Sequence, residues 1–186
     1  MHRGIISICG GSGCGKTFLA VRLAERLGLE RAVRIPTDYY LKPNPYPTLA
    51  AFFQHPLEYD WELLDAVLAA ADGTARSTPV FDFVNFRRLS ERGGRAFTVR
   101  PIAITDAMVP HPSANLTVLV RCPEEERKRR IIERDQRWNT SVIDYWGLHQ
   151  RTLADMLRTN PRFDLEIDGM DAVEGSLERV ISLLGQ

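Results

Sequence analysis

Cysteine is scarce: three in 186 residues, Cys9, Cys14 and Cys122, an odd number with no paired spacing. That points away from a disulfide framework and toward free thiols in a reducing compartment. An excess of one charge is missing too, since 24 Lys and Arg balance 24 Asp and Glu. Nothing in that balance selects a nucleic acid or a membrane surface as partner. No apolar run reaches the roughly 18 residues of a spanning helix. Met1-His2-Arg3-Gly4-Ile5 enters a strand-like run directly, without the longer apolar stretch and cleavage site of a signal peptide. A soluble, cytoplasmic protein is the expectation. Repeats and low-complexity segments are also absent. What is present is ordinary for a globular chain: 44% hydrophobic and 26% charged residues. The length suits one domain over 1–186 with a small insertion.

Short apolar runs alternate with helical spacing. Gly4 to Cys9, Ala32 to Ile35, Pro101 to Asp106, Leu116 to Arg121 and Phe163 to Ile167 read as buried strands. Phe18 to Leu27, Glu58 to Ala71, Glu124 to Arg137, Val142 to Arg158 and Val173 to Leu184 read as helices. Pro43, Pro45 and Pro47 make 41–48 an extended loop. A hairpin interrupts the alternation: strand Pro79 to Phe86, turn Glu91 to Gly94, return strand Arg95 to Val99. The expected fold is a three-layer α/β domain on a parallel five-stranded sheet, with a hairpin insertion at 79–100.

Gly10-Gly11-Ser12-Gly13-Cys14-Gly15-Lys16-Thr17 fits G-x-x-x-x-G-K-[ST]. Glycines let backbone N–H groups turn inward around phosphate oxygens. Lys16 supplies charge to the β- and γ-phosphates, and the Thr17 hydroxyl suits Mg²⁺. The following helix points its positive end at the anion. Gly11, Ser12, Gly13, Cys14, Gly15, Lys16 and Thr17 are therefore candidate ATP- and Mg²⁺-binding residues. Cys14 fills a free position of the motif. A guanine-reading Asn-Lys-x-Asp, a Leu-Ser-Gly-Gly signature and a strand-end Asp-Glu are all missing. A small-molecule kinase remains, and it needs an acid after the second strand. Thr37-Asp38-Tyr39-Tyr40 supplies one.

With these residues the chain resembles the uridine kinase, phosphoribulokinase and nicotinamide riboside kinase group of P-loop kinases. Further landmarks are His55-Pro56-x-x-Tyr59-Asp60, Pro79-Val80-Phe81-Asp82-Phe83 and the Arg-rich stretch 127–137. The resemblance implies Asp38 as the base for the attacking hydroxyl, with a turn cap as the alternative. It implies Asp106 as the acid that holds Mg²⁺ through water, although the family carries Glu-Gly where this chain has Asp106-Ala107. A helix N-cap is the other reading of Asp106. Arg127, Arg130, Arg134 and Arg137, spaced three, four and three, share a helical stripe. In the family this is a lid over the phosphates, here about 127–140. Arg134 is the catalytic candidate, Arg130 and Arg137 are phosphate binders, and Arg127 is structural. A solvated charged face is the alternative.

On the acceptor side, Tyr40, Tyr59, Asp60, Phe81 and Phe83 are candidate substrate contacts. Asp60 reads equally as an N-cap. Phe81 and Phe83 are expected on one hairpin face and Phe86 on the other, over a cleft or simply packed. Gln54 and Phe86 stand where uridine kinases carry an acid and a histidine that contact the nucleoside, so uridine is expected to be a poor substrate. Arg87 and Arg88 offer a second possibility, an acceptor bearing phosphate or carboxylate, or else form a solvated strand end. The expectation is an ATP-dependent kinase of a small molecule, a nucleoside first and nicotinamide riboside or another metabolite second. A nucleotide-binding regulatory protein without turnover is the reading from another class. A homo-oligomer is compatible with all of these.

Overall fold

Why each strand forms is clearest at its buried positions. The computed structural model describes residues 4–160 and 162–185; Met1-His2-Arg3, used above for the leader reading, lies outside them. β1 (Gly4–Cys9) buries every residue after Gly4. Ile6 and Ile8 face one layer, and Ile5 and Cys9 face the other. α1 (Lys16–Leu27) follows the glycine-rich loop and lays Leu19, Ala20, Leu23 and Ala24 on the sheet. Next come β2 (Ala32–Ile35), a 3₁₀ turn at Thr37–Tyr40, α2 (Leu49–Phe52) and α3 (Trp61–Leu68). Short strands β3 (Ala75–Ser77), β4 (Val80–Asp82), β5 (Arg87–Ser90) and β6 (Ala96–Thr98) form the insertion. The chain then returns through β7 (Ile102–Ala107), β8 (Leu116–Arg121), α4 (Glu124–Trp138), a 3₁₀ turn at Val142–Tyr145, α5 (Trp146–Thr159), β9 (Leu165–Asp168) and α6 (Val173–Leu184).

The main sheet has five strands in the order β2-β7-β1-β8-β9, all parallel. α1 and α6 cover one face through Leu19, Leu23, Leu177 and Val180. The other face takes Leu64 and Leu68 of α3 and Met156 of α5. This is the three-layer P-loop nucleoside triphosphatase fold. Register pairs Cys9 with Ala107, Ile8 with Asp106 and Ile35 with Thr105. The carboxyl ends of β1, β2 and β7 therefore end at one level, where such folds place their ligands.

The insertion departs from the expected hairpin. Residues 79–86 are not one strand, and 95–99 do not pair with them. Instead β4 pairs with β5, while β3 pairs with β6. The reason is Asp82, whose carboxylate accepts from Val84 N at 2.9 Å, Asn85 N at 3.2 Å and Asn85 Nδ2 at 2.8 Å. An aspartate that bonds the backbone two residues on closes a turn and ends the strand. Phe86 leaves that turn with φ 50°. The alternation of rings is lost there: Phe81 lies 5.1 Å from Phe83 and 6.4 Å from Phe86, so all three rings cluster.

Candidate active site

The loop after β1 is shaped by glycines at positive φ, Gly13 at 81° and Gly15 at 98°. A Cβ at Gly13 would also strike the Arg127 carbonyl at 2.5 Å. Cys14 turns inward and joins the core beneath the loop. Lys16 is buried at the start of α1, and its Nζ donates to Gly11 O at 3.3 Å. Thr17 is exposed one residue further on.

Asp38 stands on the 3₁₀ turn after β2. It is solvent-accessible on its cleft side, yet the surrounding protein crowds it. That desolvation raises its carboxyl pKa, Asp106 adds to the rise, and Lys16, the Tyr59 hydroxyl and Arg34 oppose it. Asp106, near the end of β7, is 2% exposed. Arg34 Nη2 on the neighbouring β2 donates to its Oδ2 at 2.8 Å. The Asp106 N–H donates to Thr37 Oγ1 at 3.1 Å, which ties the two strand ends together.

Lys16, Asp38 and Asp106 thus converge. The residues suit Mg²⁺: Asp106 Oδ1 is buried with no hydrogen-bond partner, and the Thr17 hydroxyl offers a second hard oxygen. Among the described residues no group of three or more His, Cys, Asp or Glu could form a cage. Mg²⁺ needs none, because it takes one or two carboxylates with phosphates and retained waters.

The arginine stripe divides by depth. Arg127 is buried against Gly11, donates through Nη2 to Gln150 Oε1 at 2.8 Å, and lies over the Trp146 ring at 4.9 Å. Arg130 pairs with Glu126 and donates to Gly169 O at 3.1 Å. Arg134 and Arg137 make no hydrogen bond or ion pair among the described residues. Sequence reasoning missed two groups of the site, one beside this stripe and one beside Asp106. His149 on α5 has a buried, unpartnered Nδ1. Burial first, then Lys16, Arg134 and Arg127, push its pKa down to about 4. Arg34 is the other, and its only sequence signal is a cation between Val33 and Ile35 of a buried strand.

Several acceptor-side expectations change. Tyr40 is not a cleft residue: it is fully buried among Ile5, Ile35 and Leu64. Burial pushes its hydroxyl up to about 12. Its neighbour Tyr39 faces the insertion, edge-on to Phe83 at 5.3 Å. Asp60 caps α3 by accepting from Leu63 N at 3.1 Å, and Arg88 Nη1 donates to its other oxygen at 2.8 Å. Tyr59 is 4% exposed, and its hydroxyl donates to Asp38 Oδ1 at 3.0 Å. Phe81 is buried and Phe83 half-exposed. Phe86 packs on Phe52 at 5.0 Å, Phe53 at 5.8 Å and Tyr145 at 5.5 Å.

A lysine-bearing phosphate loop facing two acids across the carboxyl edge of a parallel sheet is the arrangement of P-loop kinases. Comparison with known proteins narrows this: the AAA domain family model matches residues 6–145, and the chain belongs to that family. It is similar to the uridine kinase of Halobacterium salinarum, 33% identical over 147 residues, covering 70% of this chain and 61% of the relative. It is also 38% identical over 90 residues to the uridine kinase of Chloroflexus aggregans, covering 46% of this chain and 43% of that one. The matches therefore span 43% to 61% of these relatives' own length. A solved structure assigned as a fructose transport system kinase, from Silicibacter sp. TM1040, shares the fold with TM-score 0.58, 17% identity and 89% of each chain. The uridine kinase-like resemblance read from the motifs is borne out.

Proposed function

We propose that the chain is an ATP- and Mg²⁺-dependent kinase that phosphorylates a hydroxyl of a small molecule, with nucleosides as the first acceptor class. The convergence of Lys16, Asp38 and Asp106 at one sheet edge carries this reading. Asp106 and the Thr17 hydroxyl would hold Mg²⁺, which would supply positive charge to the phosphates. The chain's own groups do the rest. Backbone N–H groups of the phosphate loop and Lys16 bind the polyphosphate. Asp38 orients the acceptor hydroxyl and takes its proton, a role its raised pKa suits. Arg134, which makes no hydrogen bond or ion pair among the described residues, is available for the charge spread over the transferring group.

Uridine itself is not favoured. Gln54 replaces an acid, Phe86 is locked in the aromatic cluster, and both Asp60 oxygens already have protein partners. No helix among the described residues is long and apolar enough to cross a membrane.

The test is phosphate transfer from ATP across a panel of nucleosides, nicotinamide riboside and sugars, with Asp38→Asn alongside. We expect turnover on at least one acceptor and a fall in kcat of about 10²-fold or more in the variant, with ATP affinity little changed. Turnover intact at saturation in Asp38→Asn would move Asp38 from base to loop support. ATP binding without transfer to any acceptor would favour the regulatory reading.

A further inference from the structure

Tyr59, a candidate substrate contact from its motif, turns its hydroxyl to Asp38. Its ring is buried and stacks on Trp61 at 5.0 Å with the planes 16° apart. The hydroxyl accepts from Met108 N at 3.1 Å and donates to Asp38 Oδ1 at 3.0 Å. Met108 lies two residues beyond Asp106, so one phenol spans the β7 end and the acid after β2.

The backbone beneath it is fixed as well. Leu41 and Tyr59 form an isolated antiparallel bridge. Asp60 N donates to Tyr40 O at 2.7 Å, and Lys42 N donates to Glu58 O at 2.8 Å. The segment carrying Tyr59 is therefore laced to Tyr40, Leu41 and Lys42, which follow closely after Asp38. Rotation of the Tyr59 side chain would break both of its hydrogen bonds.

We propose that Tyr59 is a positioning residue for Asp38: the Met108 N–H fixes the phenol, and the phenol holds Oδ1 so that Oδ2 faces the acceptor hydroxyl. The inference rests on Asp38 being the base of the proposed kinase. The Tyr59 hydroxyl acts through Asp38, because both of its hydrogen bonds are to protein groups. It acts by narrowing the carboxylate's rotation, and catalytic geometry is sensitive to such narrowing. Its hydrogen bond also favours the charged form of Asp38, against the rise caused by crowding. Burial, followed by the Asp38 charge, raises the Tyr59 pKa well above the ordinary phenol value, so the hydroxyl stays a donor across the working range.

The decisive variant is Tyr59→Phe, which keeps the ring and its stacking on Trp61. We expect kcat to fall about tenfold, the scale of one hydrogen bond to a charged group. KM for ATP and acceptor should stay within a factor of about three, because no substrate contact is removed. The acidic limb of the kcat profile should move to higher pH, since a bond that favoured the carboxylate is gone. A merely structural Tyr59 would lower the melting temperature and leave that limb in place.

A second measurement needs no turnover: the Asp38 carboxyl carbon is titrated by NMR in the full-length parent and in Tyr59→Phe. A higher Asp38 pKa in the variant supports the coupling, even if no acceptor is ever phosphorylated and the kinase reading fails. An unchanged Asp38 titration overturns the inference, and so does an unchanged acidic limb in an active enzyme.

Discussion

Arg34 shows how one side chain constrains the site. Its guanidinium, 28% exposed, faces an Asp106 side chain that is 1% exposed. Removing one partner of such a pair leaves a desolvated charge uncompensated, which costs more than the pair itself contributes. Arg34→Met should destabilise the protein by about 1–3 kcal/mol. The same loss frees Asp106 Oδ2 beside the already unpartnered Oδ1, so the carboxylate becomes a stronger site for a divalent cation. Added Mg²⁺ should then raise the melting temperature of Arg34→Met more than that of the parent, through preferential binding to the folded state. Equal shifts in the two proteins would show that Asp106 does not face the metal.

Among the elements, the insertion holds its shape through rings rather than through its short strands. Phe86 is 4% exposed and touches Phe52, Phe53, Phe81 and Tyr145, whereas Phe83 is 37% exposed. Phe86→Ala should cost about 3 kcal/mol in denaturant unfolding, and Phe83→Ala about 1 kcal/mol. Similar losses at both positions would contradict this packing. The main strands and helices were legible because Gly, Pro and capping residues punctuate strong periodic runs. Asp60 before α3 is one such mark. The insertion was not legible, because the Asp82 turn competes with the alternation of Phe81 and Phe83, and β3 finds its partner some twenty residues away. Tyr39 and Tyr40 show the same limit within the site. The motif supplies two aromatics, but only the bridge between Leu41 and Tyr59 decides which one turns inward. Lys16, Asp38 and Asp106 were legible because each closes a recognisable strand or loop. Arg34 and His149 were not, since their meaning comes from neighbours distant in sequence.

For the molecule as a whole, zero net charge conceals a local concentration of cations around the phosphate loop. Lys16, Arg127 and Arg134 all act on His149, with Asp135 opposing them. The folded protein therefore holds this imidazole neutral down to about pH 4, against an ordinary value of 6.5. A base whose folded pKa is depressed contributes stability that is full above the unfolded pKa and is lost as pH falls toward the folded one. The loss should begin near pH 6.5 and reach about 2–3 kcal/mol by pH 4.5, at about 1.4 kcal/mol per pH unit. Other titrating groups subtract out in a comparison of variants. His111, also depressed, chiefly by burial, has the same sign. Asp38, raised, has the opposite sign. Comparing the parent with His149→Gln cancels both, because glutamine stays neutral throughout. Denaturant unfolding from pH 7 to 4.5 should show the parent losing about 2–3 kcal/mol more than the variant. Parallel curves would mean that His149 is as easily protonated in the folded chain as in the unfolded one. That result would leave the cation cluster around the phosphate loop weaker than its geometry indicates.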